Sequence, residues 1–228
     1  NADAVKSMPG IKDVFHFEVY PEGIEKQWSD QGGIPELVAI VGNSTWECMQ
    51  AKKSLEVEWE QDSTAESTSY HEEALAELLE TPSETPARKD GDVDAAFAKA
   101  AKIVESTYSA PYLAHNTMEP MNFFAHVTPE KAELLGPIQT PEFAEKTVAA
   151  RLGMPLEKID IMMTRMGGGF GRRLYGPFVI EAAVISQKMN APIKLVYSRE
   201  DDMTQGTYRP SYKVKYKAGL DENGNLIA

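Results

Sequence analysis

The sequence is short of cysteine, of positive charge and of long apolar runs, and each shortage closes off a class of function. Cys48 is the only cysteine among 228 residues. One thiol leaves no internal disulfide, no cysteine-ligated zinc centre and no iron–sulfur cluster held by this chain alone, since a typical cluster takes four cysteine ligands. Beside Trp46 it reads as a small buried residue. Lysine and arginine number 23 against 35 aspartates and glutamates, for a formal net charge of -12. A nucleic-acid binder is expected to carry a basic face, so that class is set aside. No apolar stretch approaches the roughly 18 residues that a membrane span needs. The chain opens Asn-Ala without an initiator methionine, and Asn1-Ala2 reads as an artificial junction, so the expectation is a piece of a longer protein.

What is present is ordinary globular material, 42% hydrophobic and 25% charged, enough for one large domain or two small ones. Residues 11–20 and 36–41 read as strands, rich in β-branched and aromatic side chains, with a polar loop carrying Gly23, Gly32, Gly33 and Pro35 between them. Thr45 is read as the cap of a helix reaching about Leu55, and V-E-W-E (57–60) as a returning strand with alternating character. Residues 61–91 change texture: serine, threonine, glutamate, Pro82 and Pro86 mark an acidic surface linker with a short helix near 69–80.

Beyond the linker, a helix is expected over 92–102, then strands at 103–112 and 121–128. Thr140-Pro141-Glu142 opens a helix that should stop at Gly153. Residues 158–165 form a strand, and Pro177 opens a helix to about Met189 that is apolar nearly all round and therefore buried. Strands at 193–199 and 212–218 follow, with a turn at 222–225. The fold class is α+β.

Between the strand at 158–165 and the helix at 177 stands M-G-G-G-F-G-R-R, Met166 to Arg173. Glycine gives up more backbone entropy on folding than any other residue. Amides in such a loop can converge on an anion or polar oxygen that no Cβ keeps away. The spacing excludes a P-loop, because Arg172, Arg173 and Leu174 follow Gly171 where Gly-Lys-Ser/Thr would be needed. It also excludes the dinucleotide G-x-G-x-x-G, which wants glycine at Arg172. A tight connection of no chemical role stays open on these residues alone. His115, Glu119 and His126 invite a metal reading, but Pro120 and the extended sequence after it argue against one helical face bearing all three. Hydrogen bonding that shapes the segment is the expected role of His115 and Glu119.

The loop has company. I-K-D-V, the W-E-C-M-Q-A-K-K-S-L-E-V-E-W stretch, A-H-N-T-M-E-P-M-N, Q-T-P-E, L-G-M-P-L-E-K-I, R-M-G-G-G-F-G-R-R and S-R-E-D-D-M occur in this order. Together they resemble the molybdenum-cofactor subunit of the xanthine dehydrogenase and aldehyde oxidase family over nearly the whole chain. The G-G-G-F-G-R-R and T-M-E-P-M variants look most like the isoquinoline 1-oxidoreductase β-subunit branch. The resemblance implies a partial hammerhead-like domain over 1–60, the linker over 61–91, and the first part of a molybdopterin-binding domain over 92–228.

By the same resemblance, Gly168, Gly169, Phe170 and Gly171 cradle a molybdopterin, expected in its cytosine dinucleotide form, and Gln139 lies near the apical oxygen of molybdenum. Arg172 and Arg173 match phosphate geometry, though on sequence alone both arginines read equally as solvent-facing charge, and Gln139 as a helix-entry residue. A glutamate common in the family falls at Leu174, which can accept no hydrogen bond, so its role in handling substrate is not carried over. The family's catalytic base lies far toward the C-terminus of the full subunit, so no catalytic and no metal-ligating residue is assigned here. The implied parent oxidises an N-heterocycle or an aldehyde with oxygen from water, passes electrons to a 2Fe–2S iron–sulfur subunit or domain, and sits in the bacterial periplasm. The fragment is expected to be inactive and without cofactor. The alternative is a non-catalytic binding module that keeps the fold without the cofactor.

Overall fold

The computed structural model describes residues 1–30, 36–60, 67–81, 83 and 85–228. Gly32, Gly33 and Pro35 of the first loop, and residues 61–66, Pro82 and Glu84 of the acidic stretch, lie outside the described residues. In chain order the elements are α1 (Ala2–Lys6), β1 (Ile11–Glu18), β2 (Glu36–Gly42), α2 (Thr45–Ser54), α3 (Thr68–Glu80), α4 (Val93–Ala98) and β3 (Lys102–Ala110). Then come β4 (Asn122–Val127), β5 (Ala132–Gly136), α5 (Pro141–Leu152), β6 (Ile159–Met163), α6 (Pro177–Met189), β7 (Ile193–Val196), α7 (Arg199–Thr204) and β8 (Tyr212–Leu220). The α+β expectation holds. Two compact units divide the chain, Asn1–Trp59 with Ala114–Tyr208, and Glu60–Leu113 with Arg209–Ala228.

The first unit holds a four-stranded sheet in the order β6-β5-β4-β7 and a two-stranded sheet of β1 and β2. Strands β5 and β6 run parallel, which a tight turn cannot achieve, and α5 supplies the crossover between them. Helix α5 starts with proline at its first turn and ends at Gly153 in the left-handed region (φ 65°), as its sequence signals require. The Thr140 hydroxyl makes no cap, however; it donates to the Leu174 carbonyl at 2.8 Å. Helix α6 is buried from Pro177 through Ser186, in keeping with its apolar circumference. It packs on β4, where Phe123 and Phe178 meet edge to face at 5.7 Å between ring centroids. The Phe123 ring also lies so close over Gly136 that no Cβ fits there. Burying side chains of this size stabilises by about 1.5–3 kcal/mol each.

Three local expectations are corrected. Ser44, not Thr45, caps α2, its hydroxyl accepting from the Glu47 amide at 3.3 Å. The helix expected over 92–102 ends at Ala98, and Lys102 already belongs to β3, which pairs along its whole length with β8. V-E-W-E forms no strand; residues 55–60 run irregularly.

In the second unit β3 and β8 form an antiparallel ribbon. Tyr108 and Tyr216 meet edge to face across it, and Lys215 reaches Glu80 of α3 at 3.2 Å. Among its described residues only Gly219 is buried.

Candidate functional site

The glycine stretch lies in the first unit, after β6 and before α6. Gly168, Phe170 and Gly171 all take positive φ, 98°, 50° and 97°. Left-handed backbone costs an aromatic residue roughly 1–2 kcal/mol, and Phe170 gains little from burial in return, being 64% exposed. Strain of this kind persists only where the surroundings over-determine it.

Arg173 is what over-determines it. Fully buried, its guanidinium lies under the loop: Nε donates to the Gly168 carbonyl at 2.9 Å, Nη1 to Pro137 at 3.1 Å and Nη2 to the Glu119 carbonyl at 3.0 Å. The planar fork is spent on backbone oxygens. In this placement Arg173 holds the loop from beneath and does not face outward.

Glu119 ties down the loop's other end. Its Oε2 accepts from the Gly167 amide at 2.6 Å and stands 3.3 Å from Arg173 Nη2, while Oε1 accepts from Asn122 at 2.9 Å. Burial alone would raise this carboxyl, but the Gly167 and Asn122 bonds and the arginine charge outweigh it and hold it below its ordinary range. The segment-shaping role expected of Glu119 is what its contacts perform. His115 lies under Gly171, with Nε2 3.3 Å from where a Cβ would stand. His126 sits away on β4 beside Glu133, at 3.9 Å. Among the described residues no group of three or more histidines, cysteines or acids could hold a metal ion.

Gln139 meets the loop directly. Its backbone N–H donates to the Arg173 carbonyl at 2.9 Å, and its side-chain Oε1 accepts from the Gly171 backbone N–H at 3.3 Å. A Cβ on Gly169 would stand 2.8 Å from Gln139 Cδ, so only glycine permits this approach. With Oε1 held by the loop, Nε2 is left as a donor on an exposed residue, with no acceptor among the described residues. The amides of Gly168 and Gly169 donate to no acceptor among the described residues. Glycine amides without a protein acceptor and free of side-chain crowding suit the oxygens of an anionic group. The residues present fit such a group.

Arg172 is buried too, but on the far side. It stands 3.6 Å from Asp202 Oδ1, and Nη2 donates to the Gln205 carbonyl at 3.4 Å. Gly206, at φ 91°, admits the guanidinium, since a Cβ there would lie 2.7 Å from Nη2. Asp202 also accepts from Arg199 at 3.2 Å. Nearby, Glu181 is buried in α6 and accepts from the Tyr197 hydroxyl at 2.6 Å. Burial pushes its carboxyl up to about 7, against the pull of the Tyr197 bond and the Arg172 charge. Neither Glu181 nor Asp202 was singled out from the sequence. The available signal was one acid inside F-V-I-E-A-A-V-I-S, a run otherwise without charge. Leu174 lies in the same turn, its amide donating to the Gly171 carbonyl at 3.2 Å.

Comparison with known proteins places these features in a family context. The profile of the molybdopterin cofactor-binding domain family matches residues 71–228, which contain Gln139 and the whole glycine loop. The aldehyde oxidoreductase molybdenum-binding subunit PaoC of Escherichia coli K12 is 28% identical over 195 residues, covering 85% of this chain and 26% of that protein. The nicotinate dehydrogenase large molybdopterin subunit of Eubacterium barkeri is 32% identical over 139 residues, 60% of this chain and 33% of its own length. Quinoline 2-oxidoreductase from Pseudomonas putida 86 superposes with a TM-score of 0.73 at 19% identity, over 99% of this chain and 32% of its own. The chain therefore spans about a quarter to a third of the length of these relatives.

Proposed function

The chain belongs to the molybdopterin cofactor-binding domain family of the aldehyde oxidoreductases and xanthine dehydrogenases, and from that premise we propose that Gln139 and Gly168–Gly171 form one wall of a cofactor site in a longer oxidoreductase. The observation that carries this reading is the left-handed loop closed over Gln139, with two amides and the glutamine Nε2 donating to no protein acceptor among the described residues. When bound, the cofactor supplies two-electron oxidation of a substrate carbon with oxygen from water. The chain's own residues do the positioning. Gly168 and Gly169 donate from fixed amides, Gln139 presents its Nε2 donor, Phe170 offers an exposed ring, and Arg173 and Glu119 keep the loop from relaxing. Arg172 is held elsewhere, by Asp202 and the Gln205 carbonyl, so in this reading both guanidinium groups are engaged by protein and only that of Arg173 supports the loop.

The finer parts of the proposal follow from the resemblance. The cofactor is the cytosine dinucleotide form, the substrate an N-heterocycle or an aldehyde, and the electron acceptor a separate iron–sulfur subunit or domain. The residues 1–60, 61–91 and 92–228 correspond to a partial hammerhead-like domain, a linker and the first part of the cofactor-binding domain. The base that would activate water lies outside these 228 residues, so the fragment alone is inactive. The test is metal analysis with acid release of the nucleotide from the intact parent purified with its partner. About one molybdenum per chain and a cytidine nucleotide are expected; an adenine or absent nucleotide overturns the finer assignment. No metal at all, in a host able to make the cofactor, overturns the whole reading.

A further inference from the structure

Asp202 stands on α7 as a buried acid, 4% exposed, with a guanidinium facing each of its oxygens. Oδ2 accepts from Arg199 Nη1 at 3.2 Å, and Oδ1 lies 3.6 Å from Arg172 Nε. Two cations share this space only because a carboxylate lies between them. Helix α7 is six residues long, but it is well anchored. Ser198 and Asp201 cap its start reciprocally, and Lys52 of α2 pairs with Asp201. Asp202 is thereby given a fixed place.

From Asp202 the contacts run to the segment Asn116–Glu119. Besides Asp202, Arg199 Nη1 donates to Asn116 Oδ1 at 3.3 Å, and Nη2 donates to the Met118 carbonyl at 3.0 Å. Thr117 is fully buried; its Oγ1 donates to the Glu119 carbonyl at 2.7 Å and lies 3.5 Å from Asp202 Oδ2. Asn116 is held at φ 48°, a left-handed conformation that asparagine tolerates better than most residues. Packing does not explain the path of this segment, since Met118 is 86% exposed. Residues 116 to 118 are each tied to Asp202 or to its partner Arg199. Glu119 comes next: its carboxylate takes the Gly167 amide, and its own amide donates to the Gly167 carbonyl at 3.3 Å. The place of Gly167 is therefore referred, through one short segment, to a buried charge on α7.

We propose that Asp202 is a positioning residue for the cofactor wall: through Arg199 and Thr117 it fixes Glu119, and through Glu119 the entry of the glycine loop. Among the described residues it makes no hydrogen bond to Gln139 or to Gly168–Gly171, so it acts only through these intermediaries. Its charge is the feature that matters. Neutralising it leaves the arginines that converge on it without their counter-charge, which is costly in a buried place. The consequence for the cofactor rests on the cofactor reading above; the mechanical link to Gly167 does not.

Hydrogen exchange of the intact parent, prepared in a host that makes no cofactor, tests the link by itself. In Asp202→Asn, peptides covering 114–121 and 165–171 are expected to exchange at least about tenfold faster than in wild type, with α5 and α6 unchanged. Unchanged exchange in either peptide overturns the proposal. So does equal acceleration in α5 and α6, which would be a general loss of stability. Arg199→Gln alters a half-buried side chain and spares the core; it should speed exchange over 114–121, and no change there contradicts the path through Arg199. The second arm uses the loaded parent below its unfolding temperature. On dialysis, Asp202→Asn should lose molybdenum at least about tenfold faster than wild type, and retention like that of wild type overturns the positioning role. Asp202→Glu keeps the charge and should retain more than Asp202→Asn; equal loss overturns the role given to the charge. A wild-type parent without molybdenum refutes the cofactor reading alone, and the exchange result still decides the link to Gly167.

Discussion

The two units of this chain differ in what holds them. The first buries Phe123, Leu134, Ile138, Val148, Phe178 and Ile180 without measurable exposure, around a helix buried from Pro177 through Ser186. The second presents a nine-residue ribbon, β3 on β8, whose aromatic and aliphatic side chains Ile103, Val104, Tyr108, Tyr212 and Tyr216 all stay exposed. Its helix α3 buries nothing. A two-stranded ribbon is marginal in water, and needs further strands or a packed helix to persist by itself. The difference teaches where information about the site is kept. The glycine loop and Gln139 belong to the unit with a core, and the strain in the loop is sustained by a buried arginine.

Four substitutions break or sharpen the comparison. Arg173→Ala has the largest expected effect, because it strips a partner from the buried Pro137 carbonyl and the half-buried Gly168 and Glu119 carbonyls and leaves Glu119 without its cation. A loss of about 3–5 kcal/mol is expected in denaturant unfolding of the first unit. Leu134→Ala follows, at about 2–5 kcal/mol, as a cavity in the same core. Both are followed by the tryptophan fluorescence of Trp28, where the first unit packs on Phe143 at 5.2 Å.

The third prediction concerns pH. The Glu181 carboxyl has its folded value raised to about 7, above the ordinary 4.5. Its contribution to stability is therefore complete below about pH 4.5 and is lost as pH rises through about 7. Wild type should lose stability relative to Glu181→Gln over that window. A difference between the two that is flat in pH would contradict a buried carboxyl there. The smallest effect is expected in the second unit: Tyr108→Ala should cost under about 1 kcal/mol in the 228-residue chain, since the ring is exposed and touches mainly Tyr216. A cost as large as that of Leu134→Ala would show that the ribbon is held as firmly as the core.

Much of this was legible in the sequence, and the rest has physical reasons for being hidden. Helix α6 was plain because an apolar circumference admits only burial, and α5 because Pro141 and Gly153 mark its ends. Strand β5 was missed: its burial alternates over only five residues, and the apolar Leu135 at an exposed position hides that period in the sequence. Helix α7 was missed too, though Ser198 and Asp201 cap its start reciprocally. The loop was legible as a stretch of unusual backbone, and Gly168 and Gly171 do take positive φ. The placement of the arginines was not. A guanidinium reads the same in sequence whether it meets water, a phosphate or, as at Arg173, three carbonyls beneath a turn. The strand expected at 57–60 was a fair reading of its alternation, but a strand exists only where something pairs with it.

If the Gly169 backbone and Gln139 together form the wall of a cofactor site, it shows most directly in the molybdenum and pterin content of the intact parent carrying Gly169→Ala, beside wild type. The added methyl must displace the Gln139 amide, which its Cβ would approach to 2.8 Å at Cδ, while leaving the core beneath untouched. The account predicts a fall of at least about tenfold in bound molybdenum, with thermal unfolding shifted by only a few degrees. Full occupancy in that variant would contradict it.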